Sequence, residues 1–144
     1  MPDNFIQKGL INAAPGTVAL KKGLEAWSLR QRAHAHNIAN AETPGYRRVV
    51  VDFEAKLMEA LQHCEKQLTQ TDPRHLPGDL SNLQNLESQV SREPIDPNGN
   101  GVNGVDMDRE MAEMAETQLR YMTGVELLKR RYEGLKAVIR GSGQ

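Results

Sequence analysis

From Met107 onward, positions of seam type recur in alternating steps of four and three: Met107, Met111, Met114, Gln118, Tyr121, Val125, Leu128, Tyr132, Leu135 and Ile139. This heptad-like seam runs unbroken over more than four heptads, the pattern of a helix that pairs with another. Asp106 stands at the N-cap position, Asp108 and Glu110 follow in the first turn, and Gly141 lies just past the last seam residue. Acids (Glu110, Glu113, Glu116) crowd the first half and bases (Lys129, Arg130, Arg131, Lys136, Arg140) the second, as the helix macrodipole favours. The spacing predicts one helix over 107–140, about 50 Å long at its rise per residue.

A second seam of the same period, Leu20, Leu24, Trp27, Gln31, His34, Ile38 and Ala41, lies near the other end. Thr17, after Pro15-Gly16, reads as its N-cap, so a helix is predicted over 18–41, preceded by a short helical turn around Phe5 to Ile11. It stops because Pro44 holds Thr43 out of the α region and Gly45 permits a turn. Two seams of matching period at opposite ends of a chain satisfy each other when the helices lie side by side, as a coiled-coil-like pair.

Between them the sequence changes character. Arg47 to Asp52 is β-branched and extended; Asp52 then caps a shorter helix whose apolar face is Phe53, Leu57, Ala60, Leu61, Cys64 and Leu68. Pro73, Pro77, Pro94 and Pro97 with Gly78, Gly99, Gly101 and Gly104 make 69–104 loop-rich, with a short helix suggested by Leu80, Leu83, Leu86 and Val90. The chain therefore reads as an all-α, elongated fold: paired long terminal helices, a partly extended, loop-rich middle and one short helix. It forms a single structural domain in three stretches, 1–46, 47–104 and 105–144.

Composition narrows the function. One Trp, three Tyr and two Phe in 144 residues leave few of the side chains that bury most area, which favours an elongated chain that finishes its burial against neighbours. A net charge of -1 gives no field to attract nucleic acid or an anionic membrane, and no apolar run is long enough for direct membrane insertion. The first residues, MPDNFIQKGLINAAPG, lack the basic start, apolar core and small-residue site of a cleavable signal peptide. Cys64, alone of its kind, reads as a small apolar group.

Candidate chemistry is sparse. His34 and His36 are two apart, so on a helix they point roughly 200° from each other and cannot share one metal. Asp106, Asp108 and Glu110 are explained by capping, and Lys129-Arg130-Arg131 by a solvated face or a subunit salt bridge. With no phosphate loop, Cys pair or nucleophile elbow, the expectation is no catalytic, cofactor-binding or metal residue and no enzyme. The most informative stretch is Asn37-Ile38-Ala39-Asn40-Ala41-Glu42-Thr43-Pro44-Gly45-Tyr46. Its two asparagines project from one face of the last helical turn, toward exposed carbonyls or a neighbour's backbone.

That stretch resembles the asparagine-rich signature of bacterial flagellar rod and hook proteins, Asn-x-x-Asn-x-x-Thr-Pro-Gly-Tyr. Arg32 before it, Val51-Asp52-Phe53-Glu54 after it, Thr71-Asp72-Pro73-Arg74-His75-Leu76 in the loop and Val105-Asp106-Met107-Asp108-Arg109-Glu110-Met111 make the chain most similar to the proximal rod members. His34 and His36, where apolar or small residues are expected, and Glu42, where Asn or Asp is frequent, depart from the pattern. The resemblance implies a rod subunit exported unfolded by the flagellar type III apparatus and assembled periplasmically on the membrane (MS) ring and its rod adaptor. Its partners would be copies of itself and other flagellar rod proteins, with the paired helices surrounding the export channel and transmitting torque. Asn37, Asn40, Thr43, Pro44, Gly45 and Tyr46 would then be assembly residues. The rival reading is a soluble helical adaptor or export chaperone that folds alone and binds a single partner; a hydrolase using His34 or His75 serves only as contrast.

Overall fold

A computed structural model describes residues 14–67, 81–94 and 104–141. In chain order the elements are α1 (Pro15–Ala39), β1 (Val49–Asp52), α2 (Glu54–Gln67), α3 (Ser81–Gln84), β2 (Gln89–Arg92) and α4 (Met107–Arg140). The fold is mainly α-helical, with long N- and C-terminal helices as expected. At 1.5 Å per residue the 34 residues of α4 extend about 51 Å, more than the roughly 37 Å diameter of a compact sphere of this chain length, so the molecule is elongated.

α4 has the predicted bounds and caps. The Asp106 side chain accepts from the Asp108 and Arg109 backbone N–H groups at 3.0 and 3.2 Å, and Gly141 takes the left-handed conformation with φ 68°. The start of α1 differs from expectation. Ala14 is the N-cap and Pro15 opens the helix, since proline suits a position whose N–H has no helical acceptor. Thr17 is inside the helix and buried instead of capping it. The helix ends at Ala39, two residues short of Ala41, with Asn40 as C-cap.

α1 and α4 pack antiparallel. Glu110 lies against His34 and Asn37, Gly124 against Trp27 and Leu24, and Arg131 beside Gly16. A Cβ on Gly124 would come within 2.7 Å of the Trp27 ring and 3.1 Å of Leu24, so glycine sets how closely the helices approach. The facing row of α4 is accordingly Glu110, Met114, Thr117, Tyr121, Gly124, Leu128 and Leu135, with Tyr132 half-buried at its edge. Half the predicted seam is shared, whereas Met107, Met111, Gln118, Val125 and Ile139 are exposed: the contact falls one residue earlier, on 110, 117 and 124. The physical reason is approach distance, because a row of Thr and Gly admits Trp27 and a row of Met and Val does not. On α1, Leu20, Leu24, Trp27 and Ile38 are half-buried, and the fully buried positions include the small residues Gly23, Ala26 and Ala33, because the helix is covered on two sides.

The second side carries the middle of the chain. β1 pairs antiparallel with β2, Val49 opposite Arg92 and Asp52 opposite Gln89, and this ribbon lies along the later half of α1. The predicted extended segment is β1; its partner was not anticipated, and Val90 belongs to that strand, 54% exposed, and not to a helix. α2 begins at Glu54 after the strand residue Asp52, with Phe53 and Ala60 buried and Leu57 and Leu61 half-buried. Val18, Ala60 and the fully buried Leu83 form a small apolar cluster with Ala19, Leu57, Leu61 and Leu86. The predicted turn at Phe5 to Ile11, the surroundings of Cys64 and Leu68, and most of the 69–104 loop, including Leu80 and His75, lie outside the described residues.

Candidate functional site

The Thr43-Pro44-Gly45-Tyr46 turn redirects the chain from α1 into β1. The Thr43 N–H donates to the Asn40 carbonyl at 3.0 Å and the Tyr46 N–H to the Thr43 carbonyl at 3.2 Å, while Gly45 sits at φ 72°. An L side chain there would crowd the following carbonyl, so the position requires glycine for its backbone rather than for lack of space. Asn40 is half-buried: its Nδ2 donates to the His36 carbonyl at 2.8 Å and its Oδ1 accepts from the Thr43 hydroxyl at 3.3 Å. Thr43, Pro44 and Gly45 are exposed and Tyr46 is half-buried.

Asn37 is fully buried and serves as a hydrogen-bonding hub. Its Oδ1 accepts from the Val49 N–H at 2.9 Å and the Tyr46 hydroxyl at 3.2 Å; its Nδ2 donates to the Val49 carbonyl at 2.8 Å and to Glu110 Oε2 at 3.1 Å. The amide thus pairs with both backbone groups of Val49 as a neighbouring strand would, stitching β1 to α1 and both to α4.

Glu110 is the centre of the junction. Read from the sequence as a first-turn acid explained by capping, it is fully buried. His34 Nδ1 donates to its Oε2 at 2.6 Å, Asn37 to the same oxygen, and Arg48 Nε to Oε1. Arg48, also buried, donates its other nitrogens to Glu113 and, at 3.2 Å, to Glu93. Burial alone would push the Glu110 carboxyl up, but the hydrogen bonds from His34, Arg48 and Asn37 outweigh it and hold the group below its ordinary value. For Arg48, burial disfavours the charge while Glu110, Glu113 and Glu93 more than restore it. Because Glu110 is ionised, His34 must carry its proton on Nδ1 to donate to it. His34, Glu110 and Glu113 bring potential ligand atoms within 4.8 Å of one another, and the cation among them is the Arg48 guanidinium.

A second clasp fastens the far end of the ribbon. Arg30 donates to the Val51 carbonyl at 2.7 Å and meets Glu54 in a two-toothed pair at 2.6 Å, with Arg120 of α4 3.5 Å from the same carboxylate. The hydrogen bond from Arg30 is the main reason that the Glu54 carboxyl is held below its ordinary value. His36 is exposed, Arg130 pairs with Glu126 at 3.2 Å, and Asp106 caps α4. The sequence reading missed Glu110, Arg48, His34 and Arg30 as a network. The available signal was the repeat Glu110, Thr117, Gly124, seven residues apart beside the apolar row.

The buried charges of the junction, Glu110 and Arg48, bind each other and the side chains of His34, Asn37, Glu113 and Glu93, while the Asn37 amide binds the backbone of β1. No family model matches the chain. The flagellar basal body rod protein FlgB of Salmonella typhimurium is 34% identical over 131 residues, covering 85% of this chain and 94% of the relative. FlgB of Bacillus subtilis is 33% identical over 127 residues, covering 88% and 95%, and that of Cereibacter sphaeroides 38% over 105 residues, covering 73% and 78%. The chain belongs to the flagellar basal body rod protein FlgB family. It is a structural component of the flagellar basal body and not an enzyme; the adaptor and chaperone readings find no support among these relatives.

Proposed function

We propose that the protein is a subunit of the proximal rod, packed among copies of itself and other rod proteins on the membrane ring, surrounding the export channel and transmitting torque. The observation that carries this reading is the Asn37 and Glu110 junction. It ties both terminal helices and the ribbon into one unit, and among the described residues Met107, Met111, Leu119, Met122 and Val125 of α4 stand exposed on it. Torque between subunits requires such a unit to move as a body, and buried charge-assisted hydrogen bonds from three elements resist shear better than apolar contacts alone. On this reading 1–46, 47–104 and 105–144 act as one domain, and Asn37, Asn40, Thr43, Pro44, Gly45 and Tyr46 set the angle at which the ribbon leaves the helix pair. Delivery by the flagellar type III apparatus to the periplasmic side rests on the resemblance of the signature.

The test is complementation of a strain lacking the protein, with basal bodies isolated and probed for it. Wild type should be found in the rod fraction and restore swimming. Leu128→Asp, which charges the half-buried facing row of α4, should do neither, while Glu133→Asp should behave as wild type. Absence of the wild-type chain from rods that are otherwise intact would refute the reading.

A further inference from the structure

α4 outruns its partner. Gly16 lies beside Arg131 and Asn37 beside Glu110, 21 residues apart on each helix, so the antiparallel pair stays in step over this length. Since α1 begins at Pro15, residues 132–140 project past it by about 14 Å. The facing row of α4 continues on this projection. Leu135 is half-buried there, and Ile139, eleven residues after Leu128, returns to within roughly 20° of it around the helix. Ile139 is nonetheless 69% exposed. It points to the side that α1 covers elsewhere, and it is exposed because α1 has not yet begun.

The sequence supplies a cover for that side. Residues 1–13 precede Ala14, which stands at the end of α1 where the projection begins. Followed upstream in steps of three and four, the α1 row Trp27, Leu24, Leu20 and Thr17 passes through Ala13 to Leu10 and Ile6. Carrying the match of Gly16 with Arg131 backwards brings Leu10 to the level of residue 137, between Leu135 and Ile139. Ile6 reaches the level of Gly141, just past Ile139. A single straight helix does not make this connection. Pro15 has no N–H to give, Ala14 is extended at ψ 117°, and its carbonyl already accepts from the Thr17 and Val18 N–H groups at 2.9 and 3.3 Å.

We infer that in the assembled subunit residues 5–11 lie along the projecting end of α4 of the same chain, with Leu10 against Leu135 and Ile139 and Ile6 against Ile139. Reach selects this occupant over a neighbour's segment. The chain leaves α1 beside Arg131 and has only about 14 Å to cover, so the tether holds the segment at the site at high effective concentration. The bend at Ala14-Pro15 separates this contact from the Asn37 and Glu110 junction, on the order of 30 Å away along α1, so one can open without moving the other. The inference rests on the rod reading for the state it describes.

The experiment uses the full chain carrying Cys64→Ser, made in a strain lacking the protein, and the basal bodies isolated from it. Under mild oxidation Leu10→Cys with Leu135→Cys should form a disulfide within one chain. Its yield should exceed about tenfold that of Leu10→Cys with Thr123→Cys, whose second thiol lies further along and around α4. Ile6→Cys with Ile139→Cys should also link within one chain. If either pair fails to assemble, a photoreactive phenylalanine analogue at Phe5, nearly the native residue, decides the matter by linking to the last two turns of α4 in its own chain. Links between chains would show that a neighbouring copy covers α4 and would overturn the inference. Rods that contain the chain without any of these links would overturn it as well. Absence of the wild-type chain from basal bodies refutes the rod reading instead, so the two failures are told apart.

Discussion

Replacing Glu110 with Ala removes the one carboxylate among the described residues that receives donors from both α1 and the segment leading into β1. Three charge-assisted hydrogen bonds, at about 1.5–3 kcal/mol apiece, disappear, but their sum overstates the loss because the carboxylate also recovers its hydration when the chain unfolds. The balance is better read from the groups left behind. Breaking a buried ion pair costs about 3–5 kcal/mol. Arg48 would keep Glu113 and Glu93, and Asn37 would keep Val49, so the lower end applies and about 3 kcal/mol is expected. Urea denaturation at pH 7, followed by far-ultraviolet circular dichroism, measures the change. The paired substitution Arg48→Met supplies the partner for a double-mutant cycle, in which the two losses should be far from additive. A loss below about 1 kcal/mol for Glu110→Ala, or additivity with Arg48→Met, would show that the junction is not a coupled unit.

The two asparagines of the signature should separate. Asn37→Ala strands both backbone groups of Val49 and should cost about 2–3 kcal/mol by urea denaturation, whereas Asn40→Ala loses exposed bonds to His36 and Thr43 and should cost under about 1. Gly45→Val should cost about 1–2 kcal/mol through its positive φ, with Gly45→Asn costing less because asparagine tolerates that region; equal effects would point to lost contacts instead. Since Glu110 is held below its ordinary value, its contribution is complete above about pH 5 and is lost as pH falls through the depressed folded value. Acid titration should therefore show a limb below about pH 4 that Glu110→Gln flattens, Glu54 adding little because it is half exposed.

Much of this architecture can be read from spacing. α4 is bounded by residues whose preferences are local: a side-chain cap at Asp106 and a left-handed glycine at Gly141. The turn at Thr43-Pro44-Gly45 is local as well, and the positive φ of Gly45 follows from chemistry within four residues. What spacing could not supply is the rotation of α4 about its axis. Hydrophobicity favours the row through Met111, Gln118 and Val125, but closeness of approach favours Glu110, Thr117 and Gly124, and the second depends on Trp27, almost a hundred residues away. Glu110 was legible only as a capping acid for the same reason. Its burial is decided by Arg48 and His34, which no periodicity brings together, and β2 was missed because its partner β1 lies 40 residues earlier. Asn37 was singled out correctly as a donor to backbone, since an amide at the end of a helix has few other uses.

The sequence separations in the junction impose an order of events on the newborn chain. Glu110 follows His34 by 76 residues, Asn37 by 73 and Arg48 by 62. At about 5–20 residues per second, a ribosome takes roughly 4–15 s to travel from Asn37 to Glu110. Throughout that interval His34 lacks the acid that receives it, Asn37 has only Val49 and Arg48 has at most Glu93, so the first helix and the strand can meet but the junction stays open. The same holds for any delivery that presents the N-terminus first. Closure waits for the C-terminal helix, and a copy cut short before residue 110 never acquires the acid that completes it. Such a fragment has no finished surface to offer, so an incomplete copy is distinguished from a complete one by chemistry built into the fold.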